Sequence, residues 1–176
     1  MKTIITILAA LTITLSNAQE GISANIAQDV RLLIKGDEIG NAAGTPDVTI
    51  SFEMQGNQNN LGYLIVRPEM EIANLQGGKY KRYTANVGYS FNQWIEKLTL
   101  TATIGYGFVD YNGAQSSFGN NLQMSYNIFE GISLFTDIQT AERKHLLSYE
   151  STNKVLGTAW RVSFFAGIKI KVFNKK

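Results

Sequence analysis

Between Leu98 and Phe108 the chain changes character at every residue. Leu98, Leu100, Ala102, Ile104, Tyr106 and Phe108 fall on one parity, and Thr99, Thr101, Thr103, Gly105 and Gly107 on the other. A period of two is that of a β-strand, whose side chains leave alternate faces. The pattern recurs along the chain. Its apolar members are Val48, Ile50, Phe52 and Met54; Leu64, Val66, Pro68, Met70 and Ile72; and Tyr83, Ala85, Val87, Tyr89 and Phe91. They continue as Leu122, Met124, Tyr126 and Ile128; Ile132, Leu134 and Ile138; and Val162, Phe164, Ala166, Ile168, Ile170 and Val172. A less clean run near the start sets Val30, Leu32 and Ile34 against Asp29, Arg31, Leu33 and Lys35. Helical periodicity is weak throughout. An even number of alternating segments of roughly ten residues is what a transmembrane β-barrel requires, and eight are predicted here.

Residues 1–18 read as a secretory leader: Lys2 supplies a positive start, Ile4 to Leu15 an apolar core, and Ser16-Asn17-Ala18 a small-residue cleavage site. That run is too short to span a bilayer as a helix, and no later stretch approaches the roughly 18 apolar residues needed. The expected organisation is therefore a leader over 1–18 and one barrel domain over 19–176. Export without any cysteine excludes a disulfide scaffold. Of the 16 Lys and Arg only Lys2 lies in the leader, and the remainder nearly balance 14 Asp and Glu. That balance argues against a nucleic-acid partner.

If both termini lie in the periplasm, the even-numbered connections ("GNQNN", "NQWIEK", "EG") become periplasmic turns. The odd-numbered ones ("GDEIGNAAGTP", "ANLQGGKYK", "VDYNGAQSS", "TAERKHLLSYESTNKVLGTA") become longer external loops, as such barrels have. Two features orient the faces. No charge sits mid-strand on an apolar face, where Arg or Lys would cost about 2–4 kcal/mol at the bilayer midplane. The opposite faces are rich in Thr, Ser, Asn and Gly, which suit the narrow interior of an eight-stranded barrel better than a wet surface. The inward charges are mixed in sign: Asp29, Glu53, Glu69, Glu71 and Asp137 against Arg31, Lys35, Arg67, Arg82, Arg161, Lys169 and Lys171. Buried charges must be paired or hydrogen-bonded. Register suggests two contacts: Glu71 with Arg82 near the external rim, and Asp29 with Lys169 and Lys171 near the periplasmic rim.

Aromatic residues are expected in two interfacial girdles. Tyr63, Phe91, Trp94, Tyr126, Phe129 and Phe173 would form the periplasmic one, and Tyr80, Tyr83, Tyr106, Phe108, Phe118 and Trp160 the external one. The leader, the eight alternating runs and the closing "FFAGIKIKVF" resemble small outer-membrane β-barrel proteins of the OmpA-barrel and OmpX type. The resemblance is one of architecture and covers residues 20–173. It implies an all-β, antiparallel, up-and-down barrel in the cell outer membrane after Sec-type export, assembled by the barrel-assembly machinery. It also implies outer-membrane lipid and lipopolysaccharide as neighbours.

Little catalytic chemistry is visible. The single histidine, His145, lies near Ser148, Glu150 and Ser151 in the longest external loop, a conceivable nucleophile–base set for a lipid A-modifying enzyme. A flexible loop is poor support for a triad, and a solvated histidine beside Arg143 and Lys144 is the simpler reading. Lys79, Lys81, Arg82, Arg143, Lys144 and Lys154 could meet lipopolysaccharide phosphates, but Asp37, Glu38, Asp47, Asp110, Glu142 and Glu150 mix with them. No metal-ligand spacing or phosphate loop appears, so no cofactor is expected. The expectation is a monomeric barrel with a side-chain-filled lumen, acting through its external loops in surface structure, adhesion or envelope integrity. A lipid A-modifying enzyme, a narrow pore and a soluble lipocalin-like carrier are the alternatives.

Overall fold

Each alternating run forms a strand because its two faces meet different surroundings, and β-branched and aromatic residues pack well on a pleated surface. The computed structural model describes residues 20–37, 41–75, 78–110, 114–143 and 159–174. The strands are β1 (Gly21–Asp29), β2 (Asp47–Gln55), β3 (Gly62–Leu75), β4 (Gly78–Phe91), β5 (Leu98–Asp110), β6 (Ala114–Phe129), β7 (Ile132–Arg143) and β8 (Ala159–Asn174). A five-residue helix, α1 (Val30–Ile34), follows β1. Every strand pairs antiparallel with its sequence neighbour, and β1 pairs with β8 from Gly21 opposite Asn174 to Asp29 opposite Phe165. The sheet is thus a closed barrel with no edge left to aggregate.

The faces are oriented as the alternation predicts. On β5, Ala102, Ile104, Tyr106 and Phe108 are exposed while Thr101, Thr103 and Gly105 are buried. The same division holds for Phe52, Leu64, Leu122, Leu134, Val162 and Ile168 outside, against Glu53, Arg67, Gln123, Ser133 and Ser163 inside. A soluble carrier would wrap its apolar face around a cavity. This barrel turns that face outward, which excludes the lipocalin-like reading. Asn120 and Thr140, opposite one another on β6 and β7, are polar residues on the outward parity.

Two expectations need correction. The first strand is not the run from Asp29 to Lys35. It lies upstream, where Ile22, Ala24 and Ile26 alternate with Ser23, Asn25 and Ala27. Asp29 ends that strand and caps the helix, accepting from the backbone N–H of Arg31 (2.9 Å) and Leu32 (3.1 Å). An N-terminal Asp offers this acceptor to otherwise unpaired donors, and so turns the chain helical. Loop length is also less segregated than expected. β4 begins at Gly78 just after β3 ends at Leu75, and β6 begins at Ala114 just after β5 ends at Asp110. Of the residues assigned to those two loops, 73–75, 78–81, 109–110 and 114–117 extend the strands instead. The leader lies outside the described residues.

The extended strands differ in their outer part. Above Glu71 and Arg82 the inward positions become apolar: Ala73 and Leu75 on β3, Tyr80 on β4 and Val109 on β5. The outward positions at that height are Asn74, Lys79, Lys81, Asp110 and Ser116, all exposed. The phase of the alternation has reversed. β1 and β2 have only nine residues each, against 14 in β3 and β4. Helix α1 follows β1 at this end and carries the fully buried Leu32, which completes a small apolar core with those four residues.

The β2–β3 ladder is interrupted in mid-wall. It runs from Asp47 opposite Ala73 to Ser51 opposite Glu69 and resumes at Met54 opposite Val66. Pro68 stands in the gap. Proline has no N–H to donate, so one rung is missing in a closed barrel that otherwise has no edge.

Candidate functional site

Among the described residues, the lumen gathers a cluster of buried charged and amide side chains. Its centre is a network built on two buried arginines. Arg67 on β3 places Nη2 3.4 Å from Asp137 Oδ2 on β7, and Nε 3.7 Å from Glu69 Oε2. Arg67 also donates to Gln123 on β6 and, at 3.4 Å, to Thr103 on β5. Arg82 on β4 sets Nη1 3.6 Å from Glu69 Oε1 and 3.6 Å from Glu71 Oε2, while its Nε donates to Ser117 at 3.1 Å. Three carboxylates thus face two guanidiniums. Amides serve the surplus: Gln139 donates to Glu69 at 3.1 Å and Asn121 to Asp137 at 3.1 Å.

Small residues make room for this layer. A Cβ on Gly105 would strike the Asn86 side-chain oxygen, and one on Gly119 would lie 2.5 Å from Arg82 Nη2. Asn86 in turn donates to the Arg67 carbonyl at 3.0 Å, tying β4 to β3. The structure therefore gives a specific reason for glycine at inward positions: neighbouring strands send long polar side chains across the space.

Two further ion pairs lie outside the central layer. Lys169 on β8 places Nζ 3.0 and 2.9 Å from the two Glu53 oxygens on β2, toward the end that carries the termini. Arg161, at the other end of β8, places Nη2 3.0 Å from Asp37 Oδ2 in the connection after α1. Asp37 also accepts from the Asn41 side chain at 2.7 Å, so this connection is fastened to the barrel mouth.

Glu71 and Arg82 face one another across the β3–β4 hairpin, in the register expected of them. The other expected contact does not form. Lys169 stands opposite Asn25 and Lys171 opposite Ser23, whereas Asp29 is at the far end of β1 opposite Phe165. Taking the first strand eight residues too late reversed which end of the barrel Asp29 occupies. Arg31 is on α1 and exposed, outside the lumen, and Lys35 caps that helix. Lys171 faces the open mouth at the termini end and is exposed. Sequence reasoning put Leu32 in a strand and Asp37 among the external carboxylates without a partner, and did not single out Gln123, Gln139 and Asn121, which lie on the inward parity.

The aromatics cluster at two heights. Phe91 stacks on Trp94 (centroids 5.3 Å apart) and packs on Tyr89 (4.8 Å) near the termini end. Tyr126, Phe129 and Phe173 are also exposed at that end. Tyr83 stacks on Phe108 (5.1 Å) and Phe118 meets Trp160 edge-on (6.2 Å) nearer the loop end, where Tyr106 is exposed. Tyr63 and Tyr80 are corrections: both fall on inward parities and are buried. His145, Ser148, Glu150, Ser151, Lys144, Lys154 and Glu38 lie outside the described residues. Among the described residues no group of three or more His, Cys, Asp or Glu is placed to hold a metal.

An apolar outer wall, polar filled lumen and eight-strand closure define a small transmembrane-type β-barrel. Comparison with solved structures agrees. The Yersinia pestis outer-membrane protein Ail, solved in a phospholipid nanodisc, superposes with a TM-score of 0.54 at 12% identity, over 86% of this chain and 99% of Ail. Neisserial surface protein A is similar with a TM-score of 0.49 at 14% identity, over 85% of this chain and 94% of that one. No protein-family model matches the chain, and no curated protein does.

Proposed function

We propose that the chain is a monomeric integral protein of the outer membrane, exported with its leader and closed to bulk diffusion. It acts through the surface at its loop end, in surface structure, adhesion or envelope integrity. The observation that carries this reading is the pairing of an apolar outward wall with a lumen crossed by the Arg67–Glu69–Asp137 and Arg82–Glu71 layer. Exposed Lys79 and Lys81 stand on the outward parity just beyond Tyr83. That height suits contact with lipopolysaccharide phosphates, which ammonium groups bind well. Assembly would follow the barrel-assembly machinery, and any external partner would be read by the loops.

The test combines fractionation with function. The protein should stay in the outer-membrane fraction after alkaline carbonate, migrate faster in gels when unheated, and give no discrete conductance steps in planar bilayers. Recovery in the soluble fraction without detergent, or regular single-channel steps, would overturn the reading. His145→Ala should leave the lipid A mass profile unchanged, and an altered profile would establish the enzyme instead.

A further inference from the structure

The two ends of the lumen are not alike. Below the Arg67 layer, at the termini end, the barrel holds a cup of about 560 Å3. That volume is within the roughly 300–1,000 Å3 of small-molecule sites. The cup is closed at its inner end, where the central network and the Lys169–Glu53 pair cross the lumen. A solute enters and leaves by one mouth.

The lining has a definite chemistry. Thr99, Ser125 and Ser133 line the space together with Lys97, Lys169 and Lys171. The Ser125 hydroxyl accepts from Gln123 at 2.9 Å and the Ser133 hydroxyl donates to Asn127 at 2.6 Å, which leaves the first a proton and the second its lone pairs for a solute. Both oxygens of the buried Glu53 carboxylate are taken by Lys169. Lys171 follows two residues later on the same inward parity, and neither it nor Lys97 forms an ion pair among the described residues. Glu20 and Glu130 also line the cup. Glu20 immediately precedes β1 and Glu130 lies in the β6–β7 turn at the lip; both are exposed, as Lys97 and Lys171 are, so water and salt screen all four.

Lys97 carries a second sign of specialisation. Its φ is 64°, a left-handed conformation that is strained for a residue with a side chain. Such strain costs on the order of 1–3 kcal/mol and gathers at ligand-binding positions. The turn is held there by the Asn127 N–H, which donates to the Lys97 carbonyl at 2.9 Å. A glycine would occupy this position without strain, yet the chain places a lysine there, at the lip of the cup.

We propose that this cup is a binding site for a small polyhydroxylated anion. Lys171 and Lys97 meet its carboxylate or phosphate group, and Thr99, Ser125 and Ser133 its hydroxyls. The site is a property of the barrel interior and does not depend on what the external loops do.

The test is an amide-shift titration of the full exported chain, isotopically labelled in detergent micelles at constant ionic strength. The probes are gluconate, glucose 6-phosphate and glucose. Saturable shifts at Thr99, Ser125 and Lys171 are expected with at least one of the two anions, at tenfold or more lower concentration than with glucose. Whichever anion saturates first identifies the headgroup chemistry. Lys171→Gln and Lys97→Gln should each weaken that binding by tenfold or more, while Lys79→Gln at the opposite end leaves it unchanged. Unheated gel mobility verifies folding, and if one lysine variant misfolds the other carries the comparison. Non-saturating shifts with every probe, equal response to glucose, or full binding in the folded lysine variants would each overturn the proposal.

Discussion

The loop end and the termini end of this barrel are finished in opposite ways. At the loop end, Leu32 of α1 sits over Ala73, Leu75, Tyr80 and Val109, and Asp37 pins the following connection to Arg161. Apolar packing there is backed by the arginine–carboxylate layer beneath it. At the termini end no described segment folds inward, and Thr99, Ser125, Ser133, Lys97 and Lys171 line the cup. One end is built for stability and the other for access. A tube with the same strand count can therefore be shut without being full, provided the barrier is placed off centre.

The strongest way to break this contrast is to attack the barrier itself. Arg67→Met should destabilise the barrel by about 3–5 kcal/mol, because Glu69 and Asp137 would remain buried with a partner missing. Urea unfolding in lipid vesicles, followed by tryptophan fluorescence, measures it; a loss under about 1 kcal/mol would mean that water reaches the layer and pairs its charges. Leu32→Ala should cost about 2 kcal/mol, at the low end for a buried leucine because the helix can settle inward. Hydrogen exchange should then quicken at β3 and β4 amides near the loop end and stay unchanged around Ser125. Equal quickening at both ends would show that the two regions are not independent. Pro68→Val should be the smallest effect and of opposite sign. It restores one N–H to the β2–β3 ladder and should stabilise by about 1 kcal/mol. A destabilised variant would show that the interruption is filled in some other way.

Seven of the eight strands were legible because lipid outside and a narrow polar lumen inside impose the same alternation over most of the wall. β1 was misplaced for a local reason. Val30, Leu32 and Ile34 happen to alternate, while the helix-starting role of Asp29 depends on a backbone turn that a two-residue pattern does not register. The pairing of Glu71 with Arg82 was readable because one hairpin joins them. Arg67 with Asp137, 70 residues apart, and Lys169 with Glu53, 116 apart, meet only after the sheet has closed. The inward parity supplied candidates for these pairs; side-chain reach across the lumen chose among them. The apolar cap was hidden because inside and outside exchange character above Arg82.

That exchange works as a waterline. Outward residues from Phe91 to Tyr83 on β4 span nine positions, close to the roughly 9–11 residues a strand needs to cross a bilayer. One rung further, Lys81 and Asp110 face outward side by side, and Tyr80 and Val109 turn in. If the barrel sank, Lys81 would enter hydrocarbon at a cost rising from about 0–1 kcal/mol at the interface toward about 2–4 at the midplane. If it rose, Tyr83, Phe108 and their neighbours would be wetted. The strands thus carry their own draught mark, which sets how far the loop end stands clear of the membrane before any loop or partner has a say.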